Sequence, residues 1–168
     1  MSRMHRRRAL ATLLGGAGWV SAPGLVRAQG PAPAGAQALV EVWKSPTCGC
    51  CKDWMTHLQA PGFRVKAHDV GNTAARTRLK VPAQLGSCHT ARVGGYAIEG
   101  HVPAADIVRL LKERPQAIGL AVPGMPIGSP GMDGPAYGNR QEPYDVLLIA
   151  QDGSTRVFSS YFKAKARV

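Results

Sequence analysis

The chain has 168 residues, with 21 Lys and Arg against 10 Asp and Glu, a net charge of +11. Its basic residues are scattered and not interleaved with aromatics, which excludes a nucleic-acid footprint. The length suits one domain with a core of its own.

The first segment carries Arg3, Arg6, Arg7 and Arg8 ahead of a mildly apolar stretch from Ala9 to Val26. Val26-Arg27-Ala28 then offers the small or branched residues that a signal peptidase reads. Residues 1–28 are therefore expected to be a signal peptide, cleaved near Ala28. The arginine pair beside a Gly-rich stretch also suits a twin-arginine signal. Gly15, Gly16, Gly18, Pro23 and Gly24 make the stretch a poor spanning helix, so no stable membrane anchor is expected. Without this segment, sixteen Lys and Arg remain against ten Asp and Glu, a net +6.

Residues 29–37, rich in Pro, Ala and Gly, read as a flexible leader. Residues 38–168 form the expected domain. Ala38 to Trp43 reads as a strand. Cys51, Trp54, Met55 and Leu58 recur at helical spacing, predicting a helix from the cysteines to before Pro61-Gly62. Phe63 to Val70 alternates as a second strand. Asn72 or Thr73 is placed to cap a short helix through about Lys80. Extended stretches at Ser87–Val93 and Tyr96–His101 flank the hairpin signal Gly94-Gly95. Pro103 to Glu113 reads as an amphipathic helix, ended by Pro115. Ala117 to Asn139 is proline-rich and reads as a loop. Tyr144–Ala150 and Thr155–Phe162 read as a second hairpin around Asp152-Gly153. The expected fold is an α/β, thioredoxin-like β-α-β-α-β-β-α core with a C-terminal β-hairpin extension.

Three of the four cysteines fall within Ser45-Pro-Thr-Cys-Gly-Cys-Cys-Lys-Asp-Trp54. In an oxidising compartment four cysteines ordinarily mean two structural bridges. Here one bridge would have to close within the cluster, and such small rings are reducible and redox-active. The cysteines open a helix, whose N-terminal N–H groups favour thiolate, with Lys52 adding to the effect.

Two chemistries then compete. Cys48 and Cys51 have the Cys-x-x-Cys spacing of disulfide exchange, with Cys48 the attacking thiol, but a third thiol at Cys50 offers either a competing partner. Alternatively, Cys48, Cys50, Cys51 and Cys88 form a four-sulfur set of the kind that selects Cu(I), Zn(II) or iron–sulfur clusters. Adjacent Cys50 and Cys51 suit one tetrahedral ion poorly and bridging of several ions better, which favours copper over zinc.

His89, beside Cys88, is a candidate further ligand; the plainer reading is a hydrogen-bonded strand histidine. Met125 and Met132 add two thioethers, good Cu(I) ligands, although core gap-filling is the plainer role. His57 and His68 read as surface residues. His101 precedes a helix, and its position alone does not decide its role. No Ser/His/Asp set, paired carboxylates or phosphate loop stands out.

Four motifs carry a resemblance: Cys48-Gly-Cys-Cys51 with Trp54, Val81 to Ala91, Gly95 to Pro103, and Gly119 to Met132. Together they resemble the CopG-like family of small exported proteins, the domain of unknown function 411, over about Val40 to Phe162. The resemblance implies a thioredoxin-like fold and periplasmic copper handling. It implies Cu(I) bound by Cys48, Cys50, Cys51 and Cys88, which the adjacency of Cys50 and Cys51 would make a multi-copper thiolate cluster. It further implies copper resistance as the service, a copper-linked redox role, and copper ions and other periplasmic copper-handling or redox proteins as partners. A thioredoxin-like thiol–disulfide oxidoreductase is the alternative.

Overall fold

The computed structural model describes residues 38–163. The expected signal peptide and leader lie outside the described residues. Seven strands and three α-helices follow in the order β1 (Leu39–Lys44), α1 (Gly49–Gln59), β2 (Arg64–His68), α2 (Thr73–Arg78), β3 (His89–Val93), β4 (Tyr96–Glu99), α3 (Ala104–Glu113), β5 (Ala117–Ala121), β6 (Tyr144–Ala150) and β7 (Thr155–Tyr161). All seven strands join one sheet in the order β2-β1-β3-β4-β5-β6-β7. Among the described residues, no helix is long and apolar enough to cross a membrane.

Two parallel pairs, β1 with β2 and β4 with β5, are each bridged by a helix, α1 and α3 respectively. The other neighbours pair antiparallel. Side chains alternate across the sheet. Ile98, Leu120 and Leu148 pack on one face with Trp54 and Leu58 of α1 and Ile107 and Leu110 of α3. Their chain neighbours Ala97, Ala121 and Ile149 pack on the other face with Val81 and Leu85. The cysteine helix and α3 thus share one side of the sheet, and the segment after α2 covers the other.

Four sequence expectations change. Ala117–Ala121, read as the start of a loop, is strand β5, inserted between β4 and the hairpin. Its neighbours Pro115, Gly119 and Pro123 suggested a loop, but fully buried central strands carry short apolar runs without alternation. Asn72 does sit at the N-cap of α2, yet its side chain makes no cap bond; it donates to the Ser87 carbonyl and Thr90 Oγ1 instead. His57 is no free surface residue: half-buried on α1, its Nε2 accepts the Ala104 N–H that opens α3. Burial holds the His57 imidazole below its ordinary pKa, against the opposing charge of Asp133. His68 is half-buried too, stacked on Trp43 with ring centroids 5.0 Å apart.

The C-terminal hairpin extends the sheet, with β6 on the outer edge of β5, covering an edge that would otherwise lie open. It also grips α3: Ser159 Oγ and Tyr161 Oη donate to the buried Asp106 carboxylate, at 2.5 and 2.7 Å.

Candidate metal centre

The first turn of α1 carries three cysteines because the strand β1 ends in Lys44 and the chain reverses through Ser45-Pro-Thr. Cys48 occupies the N-cap with extended backbone, and no side chain caps the helix. The first turn carries no acidic residue, so no carboxylate there offsets the positive end of the helix beside the sulfurs. Cys51 points inward with Trp54 and Leu58, all fully buried, while Cys48 and Cys50 are half-exposed.

Cys88 comes to this turn from the other side, on the residue just before β3. Its Sγ lies 3.5 Å from Cys51 Sγ and 3.8 Å from Cys50 Sγ, and Cys50 Sγ lies 3.5 Å from Cys48 Sγ. All four sulfurs fall within 4.8 Å of one another. Metal–thiolate bonds of about 2.3 Å, the zinc value, put two sulfurs on one ion no more than about 4.6 Å apart. The set is therefore already close to ligation distance. It appears in its oxidised form: Cys48 and Cys51 are joined by a disulfide, and Cys50 and Cys88 are free thiols. Two electrons and two protons convert the pair to thiols and complete the four-sulfur set.

Two histidines flank Cys88. His101 Nε2 lies 3.0 Å from its Sγ and His89 Nδ1 3.3 Å. Together, Cys88, His89 and His101 make a second group close enough to hold an ion. The two rings differ in how they are held. His101 Nδ1 donates to the Pro130 carbonyl at 2.8 Å, which leaves Nε2 as the lone-pair nitrogen turned to the sulfur. His89 is wedged against Trp54, with ring centroids 4.2 Å apart, and meets the edge of His101. Burial, then the neighbouring His101, holds His89 well below its ordinary pKa. Burial also lowers His101, opposed by the Pro130 carbonyl and Asp133. Both rings are therefore neutral at pH 7, the form a metal requires. Cys88 is driven the other way: burial first, then the Cys50 sulfur, pushes its thiol up to about 12.

His101 is the residue that spacing left undecided, and one signal pointed to it. Val93 pairs with Tyr96 across the Gly94-Gly95 turn, and Thr90 with Glu99. Continuing that register past the end of the ladder sets Cys88 opposite His101. Directly opposed residues share a face, so the hairpin turn alone implied their meeting.

The proline-rich segment after β5 is the cover of this site. Gly124 is bonded at both ends of its peptide: its N–H donates to the Gly86 carbonyl, and its carbonyl accepts Ser87 Oγ at 2.5 Å. Pro130 holds His101. Gly131, at φ +83°, passes so close to α1 that an added Cβ would stand 2.5 Å from the Cys50 carbonyl oxygen and 2.7 Å from the Trp54 nitrogen. Trp54 in turn donates through Nε1 to the Val102 carbonyl at 2.9 Å, tying the cysteine helix to the His101 corner. The two methionines of this segment part company. Met132 is buried beside Gly131, whereas Met125 is 50 % exposed, which removes core gap-filling as its role.

A family model described as a protein of unknown function, DUF411, matches residues 85–132, the span from the Cys88 loop through the cover. Among curated proteins none matches the chain. Two solved structures do. One described as copper resistance protein copG, Form 1, is 46 % identical, with a TM-score of 0.69, covering 74 % of this chain and 98 % of its own. The Form 2 structure of the same description is 45 % identical with the same TM-score and coverage. With identity at that level over nearly the whole of those structures, the chain belongs to the CopG-like copper-resistance family.

Proposed function

We propose that this protein is an exported, periplasmic Cu(I)-binding protein that serves copper tolerance through the thiolates of Cys48, Cys50, Cys51 and Cys88. The observation that carries the reading is the approach of four sulfurs, from two separate elements, to within 4.8 Å of one another. Soft thiolates select Cu(I). Adjacent Cys50 and Cys51 suit bridging of several copper ions, and His101 Nε2 is oriented to add a nitrogen at the Cys88 end. Residues 1–28 serve as the export signal in this reading. The β1-α1-β2 unit with its cysteines at the strand-to-helix junction, followed by β3-β4-α3, supports a thioredoxin-like core to which β5 and the hairpin are additions.

Redox conversion at the same site is a second reading, favoured by the disulfide between the Cys-x-x-Cys pair. Two Cu(II) ions each take one electron from the Cys48 and Cys51 thiolates; the products are two Cu(I) ions and the disulfide, which an external dithiol reduces again.

The test uses the chain from Gln29 onward, reduced under anaerobic conditions. Cu(I) is added against a competing chelator, and the copper retained per chain is counted. Several ions per chain are expected. No retention, with rapid insulin reduction instead, would make the cysteine run a modified disulfide-exchange centre.

A further inference from the structure

We propose that Arg76 and Glu99 are positioning residues for Cys88: a buried ion pair that grips the Ser87 peptide and so sets the fourth thiol against the other three. The copper arm of its test rests on the function proposed above.

Cys88 needs such a device. It precedes β3, which begins at His89, so it lies outside the regular part of the ladder. The peptide before it is held by side chains instead. Ser87 N–H donates to Glu99 Oε1 at 2.7 Å, and the Ser87 carbonyl accepts Arg76 Nη2 at 2.6 Å and Asn72 Nδ2 at 3.1 Å. Arg76 closes the loop by donating from Nε to the same Glu99 oxygen at 2.9 Å, with Nη2 in ion-pair contact with it at 2.8 Å. Thr90 Oγ1 donates to the remaining Glu99 oxygen at 2.6 Å. One carboxylate, fully buried, thus accepts three hydrogen bonds beside its ion pair, and both backbone polar groups of Ser87 are fastened to the pair.

The surroundings leave this peptide little room. An added Cβ at Gly86 would stand 3.1 Å from the Arg76 guanidinium, and one at Gly100 would stand 2.5 Å from Ser87 Oγ. A buried ion pair is weak evidence for stability, because desolvation cancels much of its attraction. Its value here is placement. Arg76 reaches in from α2, a helix of six residues, and Glu99 stands at the end of β4, two residues before His101. The pair therefore sets Cys88 from the α2 side while the β3–β4 register sets His101.

The experiment compares Arg76→Met with the parent in two backgrounds, native and Cys88→Ser, all reduced and anaerobic. In the native background, Arg76→Met is expected to weaken Cu(I) binding about tenfold, the usual cost of losing a partner that orients a metal ligand. In the Cys88→Ser background it is expected to change nothing, because the residue it positions is gone. A second readout needs no copper. Iodoacetamide labelling of the apo protein, followed residue by residue by mass spectrometry, should show Cys88 reacting severalfold faster in Arg76→Met and Cys50 unchanged. Equal weakening in both backgrounds, or Cys88 labelled at the parent rate, overturns the assignment. If the parent itself retains no copper, the proposed function fails and the labelling alone decides the clamp. If Arg76→Met does not fold, Asn72→Ala removes one bond to the Ser87 carbonyl and leaves the ion pair in place. A smaller acceleration at Cys88 is then expected, and the parent rate overturns the clamp.

Discussion

The two walls of the thiol site are built on opposite plans. The α1 wall concentrates three sulfurs in four positions of sequence, half-open to solvent, where a helix N-terminus favours thiolate. The β3–β4 wall spreads Cys88, His89 and His101 over two strand ends, with both histidines fully buried and Cys88 held by side chains. One wall supplies solvent-accessible sulfur; the other supplies a fixed, neutral, buried backing. The proposed copper function would draw on both, since a uniformly buried set would resist access and a uniformly exposed one would lose its thiols to oxidation.

The sharpest way to break this comparison is to remove the one sulfur of the second wall. Cys88→Ser is expected to lower the retained copper and weaken what remains by tenfold or more. His101→Ala is expected to have an intermediate effect and His89→Ala the smallest, because only His101 has its ring turned and fixed by the Pro130 carbonyl. Retention equal to the parent in Cys88→Ser, measured by chelator competition, would take Cys88 out of the site.

Next in size is the seam where the cover meets the first wall. Gly131→Ala puts a methyl against the Cys50 carbonyl at a positive φ that alanine adopts poorly. A loss of about 2–3 kcal/mol in urea unfolding is expected, from backbone strain plus the displaced contact. An unchanged midpoint would mean that the cover does not bear on the cysteine turn.

The two walls also differ in their response to pH. The Cys88 thiol, raised to about 12 by burial, is protonated throughout the neutral range, so its ligation releases a proton. Apparent Cu(I) affinity should therefore rise about tenfold per pH unit for each such thiol, and a flat profile from pH 6 to 8 would contradict it. Stability of the apo form follows from the histidines. His57, His89 and His101 are all lowered, chiefly by burial, so below about pH 6.5 the unfolded chain binds more protons than the folded one. Stability should fall as pH drops from 7 to 5. Glu99, raised by burial, works in the opposite direction, one carboxyl against three imidazoles.

The smallest effect is expected at Met125, which stands half-exposed on the cover. Met125→Leu should leave both the copper count and the unfolding midpoint within error of the parent; a clear loss of copper would add a thioether to the site.

Much of the α1 wall was legible without a structure. Cys51, Trp54 and Leu58 mark one helical stripe, and the helix they predict is there, opening at the cysteines. The Gly94-Gly95 turn and the C-terminal hairpin follow from alternation and turn chemistry, which are local. Other features were hidden for specific reasons. Strand β5 was obscured by the proline-rich stretch that follows it and by its own Gly119, although its burial on both faces explains the unbroken apolar run. The side chain of Asn72 left its helix cap for Ser87 because a buried carbonyl there outcompeted an exposed N–H. His57 was read as a surface residue because nothing in the sequence shows that α3 begins beside it.

By itself the sequence determined which thiols sit on one turn of helix, since spacing within a helix is a property of the chain. It also carried, in the register about Gly94-Gly95, the pairing of Cys88 with His101. Only the tertiary structure decided that Cys88 meets the cysteine turn of α1, that Pro130 presents the His101 nitrogen, and that Arg76 and Glu99 hold the backbone of Ser87 between them. Those are contacts between residues 11 to 38 apart in sequence. They arise from how the sheet stacks its layers, and no local pattern of side chains encodes that.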